Sequence, residues 1–409
     1  MVNDADAILA ELEELATQGS PTEQFAQGKP GGKRTFGMLL KRTYHVAADG
    51  ECEPVGEDEQ EPLVDGEIPY AEIEPPLVSS VLQGDDTLAF KDETDIVVLG
   101  SAYAYGPNVR QTTVGLRFGE LEREIVVNGD RVGEWHPTHG PRFTEPEPFE
   151  QIPVVYDLAY GGLDITAYTR YGHPAAEMMR TVRPDTKLDV HSPYHYPRNS
   201  AGQGFLISLD RESLDGLAIP HFEYAFDPLT PARLAVGEPK HWINGPLPAG
   251  MNWQSAAWFP RAGYLGFTRA YELLDAQAAE VAYGWAAEDL LDIPSMLKTL
   301  DRMPRLEFAQ SASPGMTVPE VPRDAHLEFW NMHPDYPLRR VTLPPEAPRV
   351  KLGLNAGKLV ELETRLNTIV VRTDHDRLIL VWCARTPVDR EYTPKQLANM
   401  RQDVQWRRR

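Results

Sequence analysis

Two histidine pairs stand at spacings that suit a shared metal ion. His136 and His139 are three apart, and His191 and His195 are four apart. A helix or tight turn at such spacing aims both rings at one ion. Both pairs lie among prolines, in His136-Pro137-Thr138-His139-Gly140 and His191-Ser192-Pro193-Tyr194-His195. That context also suits loop histidines bonded to backbone or water, and no metal is expected. Asp85-Asp86, Asp92-Glu93 and Asp95 offer paired carboxylates for acid–base work, which in glycosidases requires a separation of about 5 to 10 Å. Trp242, Trp253, Trp258, Phe259 and Tyr264 suit either a sugar-stacking face or a core of large rings, and the core is favoured because Trp is usually well buried. Arg198, Asn199 and Arg261 lie near these rings in sequence. They suit a carboxylate clamp or, by the favoured reading, donors to buried loop carbonyls.

The sequence patterns of common reactions are absent. There is no Gly-x-x-x-x-Gly-Lys-Ser/Thr loop, no Gly-x-Gly-x-x-Gly fingerprint, no Gly-x-Ser-x-Gly elbow and no His-Glu-x-x-His helix. Gly202-Gln203-Gly204 alone is too short for a nucleotide site. Cys52 and Cys383 stand far apart, which leaves no Cys-rich zinc site or disulfide framework and fits a reducing cytosol. No cofactor is expected. Lys and Arg number 40 and Asp and Glu 61, so the net charge is 40 − 61 = −21. Such a chain repels phosphate backbones and anionic lipid, so neither nucleic acid nor a membrane surface is expected as partner. Met1 to Gln18 lacks the basic and apolar regions of a signal peptide, and no window approaches about 18 uninterrupted apolar residues. The expected location is cytoplasmic.

The elements that must hold these residues are mainly strands. Proline is 36 of 409 residues, which opposes a helical bundle. Strand patterns run over Phe36–Val46, Asp95–Gly100, Val109–Phe118, Leu121–Val127 and Ile152–Tyr160. They return at Leu327–Met332, Leu338–Leu343, Arg349–Leu354, Lys358–Leu362, Thr368–Thr373 and Leu378–Trp382. Asn128-Gly129 predicts a two-residue hairpin turn, and Asp374-His375-Asp376 a second hairpin. Asp4 to Gln18 reads as a short amphipathic helix and Thr22 to Gly32 as a linker. Arg269 to Leu300 is the one long helical stretch. Asp49 to Glu74 carries eleven acidic residues and no Lys or Arg. It reads as a solvated loop held extended by self-repulsion, or as a docking surface for a basic partner. Trp406-Arg407-Arg408-Arg409 makes a small basic patch. The organisation expected is a helical arm and linker over 1–34, a β-rich domain over 35–310, and a β-rich part with a basic tail over 311–409. The fold class expected is mainly β, a β-sandwich-like scaffold with long Pro-rich loops and a helical insert.

Taken in order, these segments resemble the domain of unknown function 2169 (DUF2169) family. Lys41-Arg42-Thr43-Tyr44, Asp92 to Gly100 with Ala102-Tyr103-Ala104, and Val127-Asn128-Gly129-Asp130-Arg131 look like its early motifs. Ala159-Tyr160-Gly161-Gly162-Leu163-Asp164 is similar to its Ala-aromatic-Gly-Gly-x-Asp stretch and is the most specific of the set. Arg198-Asn199-Ser200-Ala201-Gly202-Gln203-Gly204, Ile219-Pro220-His221-Phe222-Glu223 and the tryptophan stretch through Trp253 to Pro260-Arg261 follow. Trp135 departs from the pattern, as does Ser200-Ala201 where a Pro-x is expected. The resemblance implies an accessory role rather than catalysis: a cytoplasmic adaptor or chaperone that holds a type VI secretion effector, often PAAR-like, and helps load it on the VgrG spike. Asp130, Arg131, Trp135, Tyr160, Gly161, Gly162, Asp164, Arg198, Asn199, Glu223, Trp253 and Arg261 are the motif residues it singles out as candidate contacts. Two other readings stand beside it. One is a hydrolase acting on glycan or peptidoglycan through loop carboxylates such as Asp164 and Glu223. The other is a structural component of the secretion tail.

Overall fold

The structure is a computed structural model that describes residues 22–28, 33–70, 79–171, 194–264, 306–322, 325–355 and 358–408. The helices expected over Asp4–Gln18 and Arg269–Leu300 lie outside these residues, as does His191. The described chain is mainly β, as expected. The largest sheet has seven strands. Its order is Glu23–Gly28, Thr35–Val46, Arg377–Pro387, Glu363–Arg372, Thr94–Leu99 and Thr317–Val318, with Cys52–Pro54 paired to the Thr35–Val46 strand. The pairs are antiparallel except Glu363–Arg372 with Thr94–Leu99, which is parallel. Unbroken apolar runs such as Ile96-Val97-Val98-Leu99 belong to strands buried on both faces. Phe36, Met38 and Leu40 enter the main core, while Leu39 joins a smaller cluster with Leu63, Ala89, Val381 and Cys383.

A five-stranded sheet runs in the order Phe222–Glu223, Leu121–Asn128, Gln111–Phe118, His326–Trp330, Leu338–Thr342. Its strands alternate, as one covered face requires. Val114, Leu116, Ile125, Val127, Leu327, Phe329 and Val341 turn inward. Arg117, Glu122, Glu328 and Arg340 form an ion-pair ladder on the other face. A three-stranded sheet follows in the order Lys358–Glu361, Glu346–Asn355, Gln402–Arg408. Apolar side chains of all three sheets share one core, which gives the sandwich-like packing. A second cluster gathers Tyr160, Tyr196, Phe205, Trp242 and Phe259 beneath the proline-rich loops.

Three local expectations are corrected. Asn128-Gly129 does not make a hairpin turn. The tight turn is Gly119-Glu120, where Phe118 pairs with Leu121 and Gly119 takes φ +61°. Asn128 is drawn instead into side-chain bonds, and a Cβ on Gly129 would lie 1.8 Å from the Glu147 carbonyl oxygen, so close backbone approach explains that glycine. The supposed linker Thr22–Gly32 contains the edge strand Glu23–Gly28. The basic patch is kept, with Arg407 and Arg408 exposed at the end of the strand Gln402–Arg408. Ile152–Tyr160 is not one strand but Gln151–Pro153, a 3-10 turn at Tyr156–Leu158 and the short Tyr160–Gly161. The Asp374-His375-Asp376 hairpin is present, with Arg372 opposite Arg377 and Asp376 at φ +50°. Strands from both sides of the 310/311 boundary share the large sheet.

Over its described residues 49–70, the acidic run is solvated along Asp49, Glu51, Glu53, Glu57, Asp58, Glu59 and Asp65, as expected. It is also fastened across the large sheet rather than held extended by self-repulsion. Leu63 is buried, Lys41 Nζ donates to the Pro62 carbonyl and to Asp86 at 2.8 Å each, and Gln60 accepts the Thr43 N–H at 2.8 Å. Arg372 pairs with Glu61 at 2.9 Å and Arg377 with Glu59 at 2.7 Å. Cations supplied from distant parts of the sequence offset the self-repulsion that composition alone suggests.

Candidate functional site

The Tyr160-Gly161-Gly162-x-Asp164 motif forms a knot with the Arg198–Gly204 loop. Tyr160–Gly161 pairs in parallel with Gln203–Gly204. Gly161 and Gly162 have φ of +153° and +85°, and a Cβ on either would lie 2.1 and 2.0 Å from the carbonyl oxygens of Asn199 and Gly202. Only glycine fits at both places. Asn199 is fully buried and its amide donates to the carbonyls of Tyr156 at 2.7 Å and Tyr160 at 3.1 Å. Asp164 is buried and accepts the Ala167 N–H at 2.8 Å on one oxygen and the Ile207 N–H at 2.7 Å on the other. The first bond caps the helical turn that follows it. Tyr160 donates its hydroxyl to the Leu234 carbonyl at 2.8 Å.

A second cluster gathers around Glu223. Glu223 accepts Asn128 Nδ2 at 3.0 Å and the Leu229 N–H at 2.6 Å, with Arg131 at 3.8 Å. Arg131 donates to the Pro220 carbonyl at 2.8 Å, and its guanidinium lies 5.5 Å from the Phe143 ring centre. His221 bonds the Asn128 carbonyl through Nδ1 at 2.9 Å and faces Asp130 through Nε2 at 3.3 Å. Burial holds its imidazole below the ordinary value of 6.5. Asp130 itself is exposed. Trp135 is half-buried against the ring cluster, and its N–H donates to Asp215.

The remaining motif residues are spent on packing and loop carbonyls. Arg198 lies 5.3 Å from the Trp242 ring centre and reaches the Ile243 carbonyl at 3.3 Å. Arg261 is buried, pairs with Glu67 at 2.6 Å and donates to the carbonyls of Phe308 and Gln254. Trp242, Trp253, Trp258 and Phe259 are all buried, so these rings offer no sugar-stacking face. Gly84 lies against Trp253, where a Cβ would approach its ring to 2.4 Å. The acidic pairs are likewise committed: Asp86 to Lys41, and Asp95 to Lys91 at 2.6 Å with Ser311 and Gln310. Lys91 also meets Ser311 Oγ at 3.2 Å and Thr368 Oγ1 at 3.0 Å. This Ser–Lys–Asp set is wholly buried and closes the junction between strands, which gives a substrate no approach. His136 and His139 stack at 4.6 Å, and His136 Nδ1 accepts the N–H groups of Thr138 and His139. Among the described residues no group of three or more His, Cys, Asp or Glu is arranged for a metal ion.

Large apolar side chains are exposed elsewhere, at Phe226, Ile165 and Tyr171 and, as a group, at the end of the five-stranded sheet. The loop His333–Leu338 joins its last two strands and runs Pro334-Asp335-Tyr336-Pro337-Leu338, all exposed. Tyr336 is 37% and Leu338 66% exposed, and Tyr105, at 41%, donates its hydroxyl to the His333 carbonyl. Beneath them Arg339 and His333 converge on Asp376 at 3.0 and 3.3 Å. Arg339 also donates to the Ala47 and Ala48 carbonyls and stacks 4.8 Å from the Tyr336 ring centre. Arg372, Arg377 and Thr373 line a small cavity of about 10 Å³ with His333, Arg339 and Asp376. The loop's mark in the sequence is the pair of prolines, Pro334 and Pro337, fencing an aromatic between two strands.

A family model described as an uncharacterized protein conserved in bacteria (DUF2169) matches residues 31–383. The chain belongs to the DUF2169 family. No curated protein matches this DUF2169 chain, and no solved structure matches it. The match spans both motif clusters and the exposed loop at His333–Leu338, and it stops before the Gln402–Arg408 strand. The motifs that carry the resemblance are thus those that build the loop scaffold of this DUF2169 fold. Among the described residues no helix is long and apolar enough to cross a membrane.

Proposed function

We propose that the protein is a cytoplasmic, non-enzymatic adaptor-chaperone that holds a type VI secretion effector with a PAAR-like part and helps load it on the VgrG spike. The observation that carries this reading is the exposed loop Pro334–Leu338 with Tyr105 beside it. Tyr, Leu and Pro displayed together over buried charges suit contact with another protein more than capture of a small molecule. The net charge of −21 keeps a loaded complex soluble and steers a basic cargo face toward the protein. The buried motif carboxylates support the same side of the argument, because Asp164 and Glu223 accept donors from the backbone and from Asn128 rather than facing an open cleft. The test is deletion of the gene in a strain that carries the neighbouring effector. Effector abundance and secretion are expected to fall, and reintroduction of the Tyr336→Asp/Leu338→Asp variant is expected not to restore them. Unchanged effector abundance and secretion after deletion would sink the reading. Detection of the protein in the secreted fraction would favour a structural role on the tail.

A further inference from the structure

The strand Gln402–Arg408 pairs on one side with Glu346–Asn355, and among the described residues no strand pairs with its other side. Natural sheets blunt such edges with Pro, bulges or charges that repel a second strand. This one is seven residues long, with no Pro and no Gly, and its pairing with Glu346–Leu352 is regular. It is held firmly in place. Val404 and Trp406 pack against the main core, and the Arg42 guanidinium lies 4.5 Å from the Trp406 ring centre. On the opposite face Asp403, Gln405 and Arg407 form a row, with Gln405 donating to Asp403 at 2.9 Å and accepting from Arg407 at 3.1 Å.

The order of residues on this edge is self-complementary. In an antiparallel pair centred on Gln405, Asp403 of one copy stands opposite Arg407 of the other, and Val404 stands opposite Trp406. Directly opposed side chains share a face of the sheet, so the two apolar residues stay on the core side and the two charges on the solvent side. A two-fold axis through Gln405 creates each contact twice. A shift by one residue would put core-side positions against solvent-side positions and remove the Asp403–Arg407 match. We propose that this edge is the interface between two copies of the chain, joined by antiparallel pairing of Gln402–Arg408 into a continuous six-stranded sheet. The occupant is a second copy because the complementarity is to the strand's own reverse.

The proposal concerns residues outside the family match and stands apart from the cargo reading. Its test is sedimentation equilibrium of the full chain across a concentration series, for the wild type, Asp403→Arg and Arg407→Asp. The wild type is expected to dimerise. Each single variant sets like charges opposite one another at both symmetric sites, and self-association is expected to weaken by about tenfold or more. An equimolar mixture of the two variants restores both opposite-charge pairs, so it is expected to form heterodimers with near wild-type affinity. Both positions lie on the solvent side of the strand, Arg407 exposed and Asp403 half-buried, and thermal melts are expected to show that both variants fold. A wild type that stays monomeric, single variants that dimerise like the wild type, or a mixture that fails to associate would each overturn the proposal. A monomer that instead binds cargo by strand addition at this edge would overturn it too.

Discussion

Replacing Lys41 with Met tests whether the acidic segment is fastened to the sheet. Lys41 projects from the Thr35–Val46 strand, and its ammonium and the Asp86 carboxylate are each only 1% exposed at 2.8 Å separation. The same ammonium donates to the Pro62 carbonyl, and Asp86 Oδ2 also accepts the Val64 N–H at 3.0 Å. One lysine therefore ties Pro62 and Val64 to the outer face of the sheet, directly and through Asp86. Met keeps the length and apolar stem but leaves a buried carboxylate without its cation, a change that costs about 3–5 kcal/mol. That is a large part of the roughly 5–15 kcal/mol that holds a domain folded. The double variant Lys41→Met/Asp86→Leu removes both charges. Its loss is expected to fall short of the sum of the two single losses by at least about 1 kcal/mol. Urea unfolding of the four proteins measures the cycle, and limited proteolysis between Val55 and Asp65 reads the segment itself. A Lys41→Met protein within about 1 kcal/mol of wild type, with no new cleavage there, would refute the claim that this pair clamps the segment.

Three further outcomes follow from the same geometry. Gly162→Ala combines an unfavourable φ with a Cβ set against the Gly202 carbonyl, so a loss of at least about 2 kcal/mol is expected by urea unfolding, and a neutral result would mean the knot relaxes. Asp164→Ala orphans the Ile207 N–H and a helix cap, about 2–4 kcal/mol together, and the same assay checks it. His221 has a depressed pKa when folded, so the unfolded chain binds its proton first. Its effect is absent above pH 6.5 and destabilises progressively as pH falls below that value toward the folded pKa. His221→Asn is expected to flatten the stability–pH curve in that window; an unaltered slope would contradict it.

The parts of the fold legible in sequence were those where burial follows a simple period. Ile96 to Leu99 and Leu378 to Trp382 read as strands because continuous apolar runs need two covered faces, and both are in the large sheet. Asn128-Gly129 misled because that dipeptide serves two needs. Here the glycine admits the Glu147 backbone and the asparagine bonds Glu223, which local pattern cannot separate from a turn. The acidic run reads as an unfastened loop because the cations that hold three of its carboxylates, Arg372, Arg377 and Arg261, stand about 200 to 300 residues away. Residue type did single out Arg198, Asn199 and Arg261 as donors to loop carbonyls, and all three serve so. The Gln402–Arg408 strand was hidden by its charged composition, since only Val404 and Trp406 carry its pattern inward.

The central claim is that this fold serves another protein. Effector abundance in cells with and without the gene, with secretion measured alongside, tests that claim most directly. The account predicts that the effector falls in the deletion strain and returns with the wild-type gene, but not with Tyr336→Asp/Leu338→Asp, although that variant folds normally. An effector level and secretion unchanged by the deletion would contradict it.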